Sequence, residues 1–221
     1  MKLFLSAISK FALGVVFVGA LIFLPAGTMA FWQGWLLMGV LFIPMFAAGI
    51  FMVFKSPALL AKRLHAKEKR KTQDVVVKCS GLMFIVGFVL SGLGVRFAWY
   101  TLPKAASIVG AVLFLVAYVL YAEVMRENAY LSRTIQVSEG QKVVDSGLYG
   151  IVRHPMYAVT LLLFTMMPLV LGSVYALLVF LVYPFLIAKR ILDEEKLLEV
   201  ELDGYREYKQ KVKYRLIPFV W

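Results

Sequence analysis

The sequence predicts an all-α integral membrane protein with six hydrophobic segments, the last two forming a helical hairpin, and a C-terminal amphipathic helix on the cytoplasmic side. Three observations carry that expectation. First, the 221 residues are 62% hydrophobic and 17% charged, with mean hydropathy +0.82, against ~45–50% apolar and ~25% charged in an average soluble domain. Second, long runs contain no charge at all. Third, the charges are sorted. With the N-terminus in the cytoplasm and alternating spans, 22 of the 24 Lys and Arg and all 13 acidic residues fall on the inner side, leaving only Arg96 and Lys104 outside. This is the positive-inside pattern of a multi-pass membrane protein with both termini cytoplasmic. An ordinary soluble domain, a disordered chain and a nucleic-acid-binding module are excluded, although the net charge of +11 alone would suggest a polyanion.

The segments follow in order. Residues 11–54 are 44 uncharged positions. As one helix they would reach ~66 Å, twice the ~30 Å hydrocarbon core, so they make two spans broken at Pro25-Ala26-Gly27-Thr28. Lys2, Lys10 and Thr28-Met29-Ala30 loosely fit a cleaved leader. The next span follows with no polar spacer, however, so the first segment is taken as a retained span. Residues 79–95 form the third span and 105–122 the fourth. Residues 155–188 are too long for one span and short for two; Pro168 and Gly172-Ser173 mark a hairpin turn. Ser91-Gly92-Leu93-Gly94 lies inside span three and follows no strand, so it marks close helix packing rather than a nucleotide loop. The chain reads as one membrane domain, with N-terminal spans and a basic loop over 1–104 and a second half over 105–221. Cys79, His65 and His154 do not make a zinc site, and no metal is expected.

Three polar segments lie on the inner side. Residues 55–78 run from Lys55 to Lys78 and cluster Lys62, Arg63, Lys67, Lys69, Arg70 and Lys71. They orient the chain and attract anionic headgroups. Residues 123–154 begin with Glu123, Arg126 and Glu127 at helix-surface spacing. An extended stretch through Gln141–Tyr149 then turns at Gly147. His154 precedes Pro155, which favours an extended His154 and a helix beginning at Pro155. Arg153, His154 and Tyr149 either anchor that helix at the interface or line a site whose free N–H groups hold an anion. In residues 189–221, Ile191, Leu198, Leu202, Tyr205 and Tyr208 make an apolar stripe, fitting a helix on the membrane face or on the loop above it. Arg190 and Glu194 share one helix face at the membrane edge, either as a simple ion pair or as functional groups.

At these residues the chain resembles the isoprenylcysteine carboxyl methyltransferase family and, more distantly, the membrane phospholipid methyltransferases. The matching pieces are Val144-Asp145-Ser146-Gly147-Leu148-Tyr149, Arg153-His154-Pro155-Met156-Tyr157, Arg190-Ile191-Leu192-Asp193-Glu194-Glu195 and Gly204-Tyr205-Arg206-Glu207-Tyr208, in order over about residues 123–218. The resemblance implies S-adenosylmethionine as methyl donor. It puts the cofactor against Gln136, Gln141, Lys142, Val143, Val144, Tyr149, His154, Pro155, Met156, Tyr157 and Glu194. It makes Arg190 and Glu194 the catalytic pair, with Arg190 at the reacting end of a lipidic or prenylated acceptor. Leu148 departs from a family Pro and Val159 from a family Gly, the latter at a place where it would either narrow a helix contact or alter the substrate passage. The resemblance makes a prenylcysteine-like carboxylate the leading acceptor and a phospholipid amine the runner-up; no base stands out to deprotonate an amine, which favours a carboxylate or thiolate acceptor. Two further classes stay open. One is an NADPH-dependent membrane reductase of the sterol-reductase type, which has a similar C-terminal hairpin. The other is a non-catalytic membrane protein that binds anionic lipid or a partner through residues 55–78.

Overall fold

The computed structural model describes residues 2–57, 60–61, 71–128, 130–131, 137 and 139–221. Gln136, His65 and the basic positions Lys62, Arg63, Lys67, Lys69 and Arg70 lie outside the described residues, so the headgroup-binding expectation falls largely outside them. The helices are α1 (Lys2–Ala26), α2 (Trp32–Lys55), α3 (Lys71–Arg96), α4 (Lys104–Glu127), α5 (Pro155–Val170), α6 (Val174–Phe180), α7 (Tyr183–Glu201) and α8 (Tyr205–Lys211), with a 3-10 turn at Gly147–Gly150.

Among the described residues, five stretches are long and apolar enough to cross a membrane: Phe4–Ala26, Trp32–Lys55, Gln73–Arg96, Lys104–Glu127 and Val174–Glu201. The expected sixth, α5, has 16 residues and rises only ~24 Å. The hairpin turn falls where Gly172 and Ser173 predict it. Gly172 has φ +65°, and the Ser173 hydroxyl caps α6 by accepting from the Ala176 N–H at 3.2 Å. The second leg differs from the expected one. It breaks at Leu181-Val182, where Pro184 can offer no N–H to the preceding turn, and it runs on well past residue 188 to Glu201.

The helices pack through small residues. A Cβ on Gly92 would sit 2.4 Å from the Ile22 carbonyl oxygen, and one on Gly110 would sit 3.0 Å from Leu169 Cβ. α3 therefore meets α1, and α4 meets α5, at nearly backbone-to-backbone distance. Ile22, Leu37, Phe114, Phe180 and Ile191 are wholly buried between them. Outward-facing side chains are apolar instead of polar: Leu24, Ile43 and Phe185 are 75%, 71% and 76% exposed. That pattern suits a hydrocarbon surround and would be an aggregation hazard in water.

The short connections gather at one end. Leu102 N–H donates to the Gly172 carbonyl at 2.8 Å, Thr101 pairs with Ser173, and Gly27 lies against Arg96. The polar segments occupy the other end. There, residues 189–221 do not form one amphipathic helix. Gly204, at φ +80°, separates the end of α7 from the short α8, because a left-handed residue cannot continue a right-handed helix. The predicted stripe is nevertheless buried: Leu202, Tyr205, Tyr208 and Val212 pack with Leu198 on Val137 and Val143 of the loop.

Candidate functional site

At the polar end, α5 starts from a loop fixed by long-range bonds. His154 has φ −125° and ψ 60°, with Pro155 opening the helix behind it, the geometry that an X-Pro junction imposes. The N–H groups of Arg153 and His154 donate to the carbonyls of Tyr214 and Arg215, each at 2.9 Å. The Arg153 side chain turns inward. Its Nη1 donates to the carbonyls of Val212 and Lys213 at 2.7 and 2.8 Å, and its Nε donates to Glu195 Oε1 at 2.8 Å. Glu195, on α7, also faces His154 Nε2 at 3.3 Å and accepts from Arg215 Nε at 3.0 Å. Arg153, His154 and Glu195 are all buried. One carboxylate therefore ties α7, the α5 entry loop and the C-terminal segment together. A buried charge is tolerable only when paired and hydrogen-bonded in this way.

One residue earlier on α7, Glu194 faces a different partner. Successive helix positions differ by about 100°, so Glu194 and Glu195 serve different sides. The Tyr157 hydroxyl, in the first turn of α5, donates to Glu194 Oε2 at 2.6 Å and accepts from Arg190 Nε at 2.9 Å. The Arg190 guanidinium carbon lies 5.8 Å from the Tyr157 ring centre, and the His154 ring stacks on Tyr157 with centres 5.7 Å apart. Arg190, Tyr157 and Glu194 thus act as one unit bridged by a phenol.

The loop over this unit is locked from several directions. Gly147 opens the 3-10 turn at φ +56°. Both Glu127 oxygens accept from the Leu148 N–H, at 3.1 and 2.9 Å. The Tyr208 hydroxyl donates to the Tyr149 carbonyl at 2.7 Å. Asp145 pairs with Lys211 at 2.6 Å, and that ammonium holds its carboxyl below the usual value. Burial pushes the phenols of Tyr149, Tyr205 and Tyr208 well up, so all three remain protonated donors at neutral pH.

These groups wall a cleft of about 490 Å³, within the range of small-molecule sites. Its polar part is lined by Gln141, Lys142, Val143, Val144, Tyr149, His154, Met156, Tyr157, Arg190 and Glu194, so these expected site residues are brought together. Its apolar part runs between helices along Val76, Ser80, Phe84, Phe164 and Tyr183. One wall is therefore α3, from outside residues 105–221. Pro155 departs from expectation. It faces a separate apolar hollow of about 250 Å³ with Leu148, Val159 and Leu216, because its role at the helix start turns its ring away from the cleft. Val159 lies in that hollow too, so it does not narrow the main cleft. Arg153 is not an interface anchor but a buried structural ion. Glu127 is not part of surface pairing: Glu123 takes Arg126 and Glu127 caps the loop. Sequence spacing missed Glu195, whose partners lie 20, 41 and 42 residues away. The adjacent acid pair after an apolar helix was its one available signal.

A carboxylate, several aromatic faces and a buried Tyr205 hydroxyl with no partner among the described residues suit a cationic, polar small molecule, since ring faces attract cations. The donor implied by the sequence resemblance fits this chemistry.

Known proteins are similar to parts of this chain. The Delta(14)-sterol reductase of Mus musculus is 33% identical over 91 residues, covering 40% of this chain and 22% of the reductase. The chain thus spans about a fifth of the length of that relative. Residues 104–200, which hold α4, the site loop, α5, α6 and the Arg190–Glu194–Glu195 turn of α7, match the Isoprenylcysteine carboxyl methyltransferase (ICMT) family, and over that segment the family resemblance is shown.

Proposed function

We propose that the protein is a membrane methyltransferase that uses S-adenosylmethionine to methylate a lipidic acceptor bearing a prenylcysteine-like carboxylate. One observation carries this reading: a single cleft joins a polar chamber at the loop end to an apolar flank between α3, α5 and α7, with Arg190, Tyr157 and Glu194 at their junction. A water-soluble donor and a membrane-borne acceptor need such a meeting point. The proposed orientation puts that end and both termini in the cytoplasm, as the distribution of Lys and Arg implies.

S-adenosylmethionine, when bound, supplies a methyl carbon made electrophilic by its positive sulfur. Glu194 and the Tyr157, Tyr149 and His154 rings complement that positive charge. Gln141, Lys142, Val143 and Val144 form the side of the chamber nearest the loop. Arg190 holds the acceptor carboxylate by charge-assisted hydrogen bonds, and its Nε bond to Tyr157 fixes the guanidinium plane. A carboxylate is already a nucleophile at neutral pH, so alignment does most of the work and no general base is needed. The apolar flank receives the acceptor's hydrocarbon chain.

The test is calorimetric titration of the purified protein in nanodiscs with S-adenosylhomocysteine, together with radiolabelled methyl transfer to membrane lipid extracts. Saturable binding that Glu194→Ala abolishes, with label appearing as a base-labile ester, supports the proposal. A base-stable label would point to the phospholipid amine. The reductase identity favours a second reading, in which the cleft binds NADPH. Saturable NADPH binding without S-adenosylhomocysteine binding would replace the first reading with it.

A further inference from the structure

Among the described residues, three buried side-chain polar atoms have no hydrogen-bond partner: Gln73 Oε1, Ser107 Oγ and the Tyr205 hydroxyl. Gln73 and Ser107 do not line the large cleft, whereas Tyr205 does. Tyr205 is only 3% exposed, so bulk water does not satisfy its hydroxyl. Its neighbour Tyr208 has the same burial and helix but spends its hydroxyl on the Tyr149 carbonyl. An unsatisfied buried hydroxyl is costly and calls for a reason. The ring is held in place by Leu202, Tyr208, Val212 and Val143, and the left-handed Gly204 sets the start of its helix. The phenol sits within the electrostatic reach of Glu194, Glu195 and Arg153, beside the polar chamber.

We infer that Tyr205 is a donor-binding residue: its hydroxyl hydrogen-bonds a polar group of the S-adenosyl ligand, making α8 the wall that recognises the ligand from the loop side. The inference rests on the proposed methyltransferase reading. Because the phenol stays protonated, it offers an O–H donor and an oxygen acceptor at any physiological pH. The free protein bears the cost of the unpaired hydroxyl, and the bound ligand relieves it. The two states should therefore respond to its removal with opposite signs.

The experiment is Tyr205→Phe, with Tyr208→Phe as control, in nanodiscs. Two quantities are measured: the melting temperature without ligand and the dissociation constant for S-adenosylhomocysteine. Tyr205→Phe is expected to melt at or above wild type while binding about tenfold more weakly, which is about 1.4 kcal/mol. Tyr208→Phe is expected to melt lower, having lost an internal bond. Equal affinity in Tyr205→Phe and wild type overturns the inference. A fall in the ligand-free melting temperature also overturns it, since the hydroxyl would then be satisfied within the protein. If wild type itself binds no S-adenosylhomocysteine, the methyltransferase reading fails first, a result distinct from equal binding by both proteins.

Discussion

Replacing Glu195 by alanine strips one carboxylate from a site where it meets Arg153 at 2.8 Å, Arg215 at 3.0 Å and His154 at 3.3 Å. The Arg153 and Glu195 side chains are 3% and 4% exposed, so water cannot take over. Removing one partner of a buried ion pair costs ~3–5 kcal/mol. Arg153 keeps the carbonyls of Val212 and Lys213, and Arg215 is a quarter exposed, which places the cost near the lower end. For a chain of this length ~3 kcal/mol lowers the melting temperature by roughly 6–12 °C. Glu194→Ala is the contrast. It removes a group that faces the cleft, and it leaves Tyr157 bonded to Arg190. It should abolish S-adenosylhomocysteine binding with a much smaller loss of stability. The assay is thermal unfolding in nanodiscs paired with ligand titration for both variants. A double-mutant cycle with Arg153→Ala should show coupling on the order of 1–3 kcal/mol. A Glu195→Ala protein that melts within about 2 °C of wild type would refute the hub, since no such carboxylate can be lost so cheaply.

Other outcomes follow from single contacts. Gly147→Ala puts a Cβ 1.8 Å from Glu127 Oε1 at a positive φ. It should unfold the site loop and abolish ligand binding, and Glu127→Ala in the same chain should restore part of the thermal stability. Arg190→Lys keeps the charge but loses the Nε donor to Tyr157. Methyl transfer should fall roughly 10–100-fold, the value of a charged hydrogen bond, with donor affinity little changed; full activity would count against Arg190 as the acceptor's clamp. Gly92→Leu should break the α1–α3 contact, where even a Cβ would lie 2.4 Å from a backbone oxygen, and the protein should fail to survive detergent extraction. The Asp145 carboxyl is lowered by Lys211. Its contribution to stability is therefore complete above the ordinary aspartate value of about 4 and is lost as pH falls through the lowered one. An NMR titration should find that value restored in Lys211→Met.

Charge-free runs located the spans because hydrocarbon tolerates almost no ionised group, and a one-dimensional count reads that constraint directly. The hairpin turn was equally legible, since Gly172 and Ser173 act locally. Arg190, Tyr157 and Glu194 could be named because they sit in short motifs. The use of Tyr157 as a bridge could not be read, because α5 and α7 meet only in three dimensions. Spacing leaves Arg153 open between an interface anchor and a site residue, since an Arg beside a membrane can snorkel outward. Its inward turn depends on two carbonyls 59 and 60 residues away. The apolar stripe after residue 189 was real, but periodicity continued in phase across Gly204 and disguised two helices as one. The place of Val159 after a motif leaves it open between a helix contact and the substrate passage. Its facing away follows from the rotation of α5, which spacing alone leaves undetermined.

The adjacency of Glu194 and Glu195 ties stability to the site. A rigid α7 presents Glu194 to the cleft and Glu195 to the loop and tail, so the same helical turn carries a candidate ligand contact and the anchor of the segment that covers it. Arg153 and His154 join hub and cleft on the α5 side: both contact Glu195 and both line the cleft. Displacing the C-terminal segment would remove Arg215 and the Val212 and Lys213 carbonyls from the hub. That would leave Arg153 and Glu195 to satisfy each other alone and free His154 to rotate away from Tyr157. The tail thus meets the site through Arg153 and Glu195 and not by lining the cleft. Truncation before Val212 should reduce methyl transfer and donor affinity together, even though none of the removed residues lines the cleft.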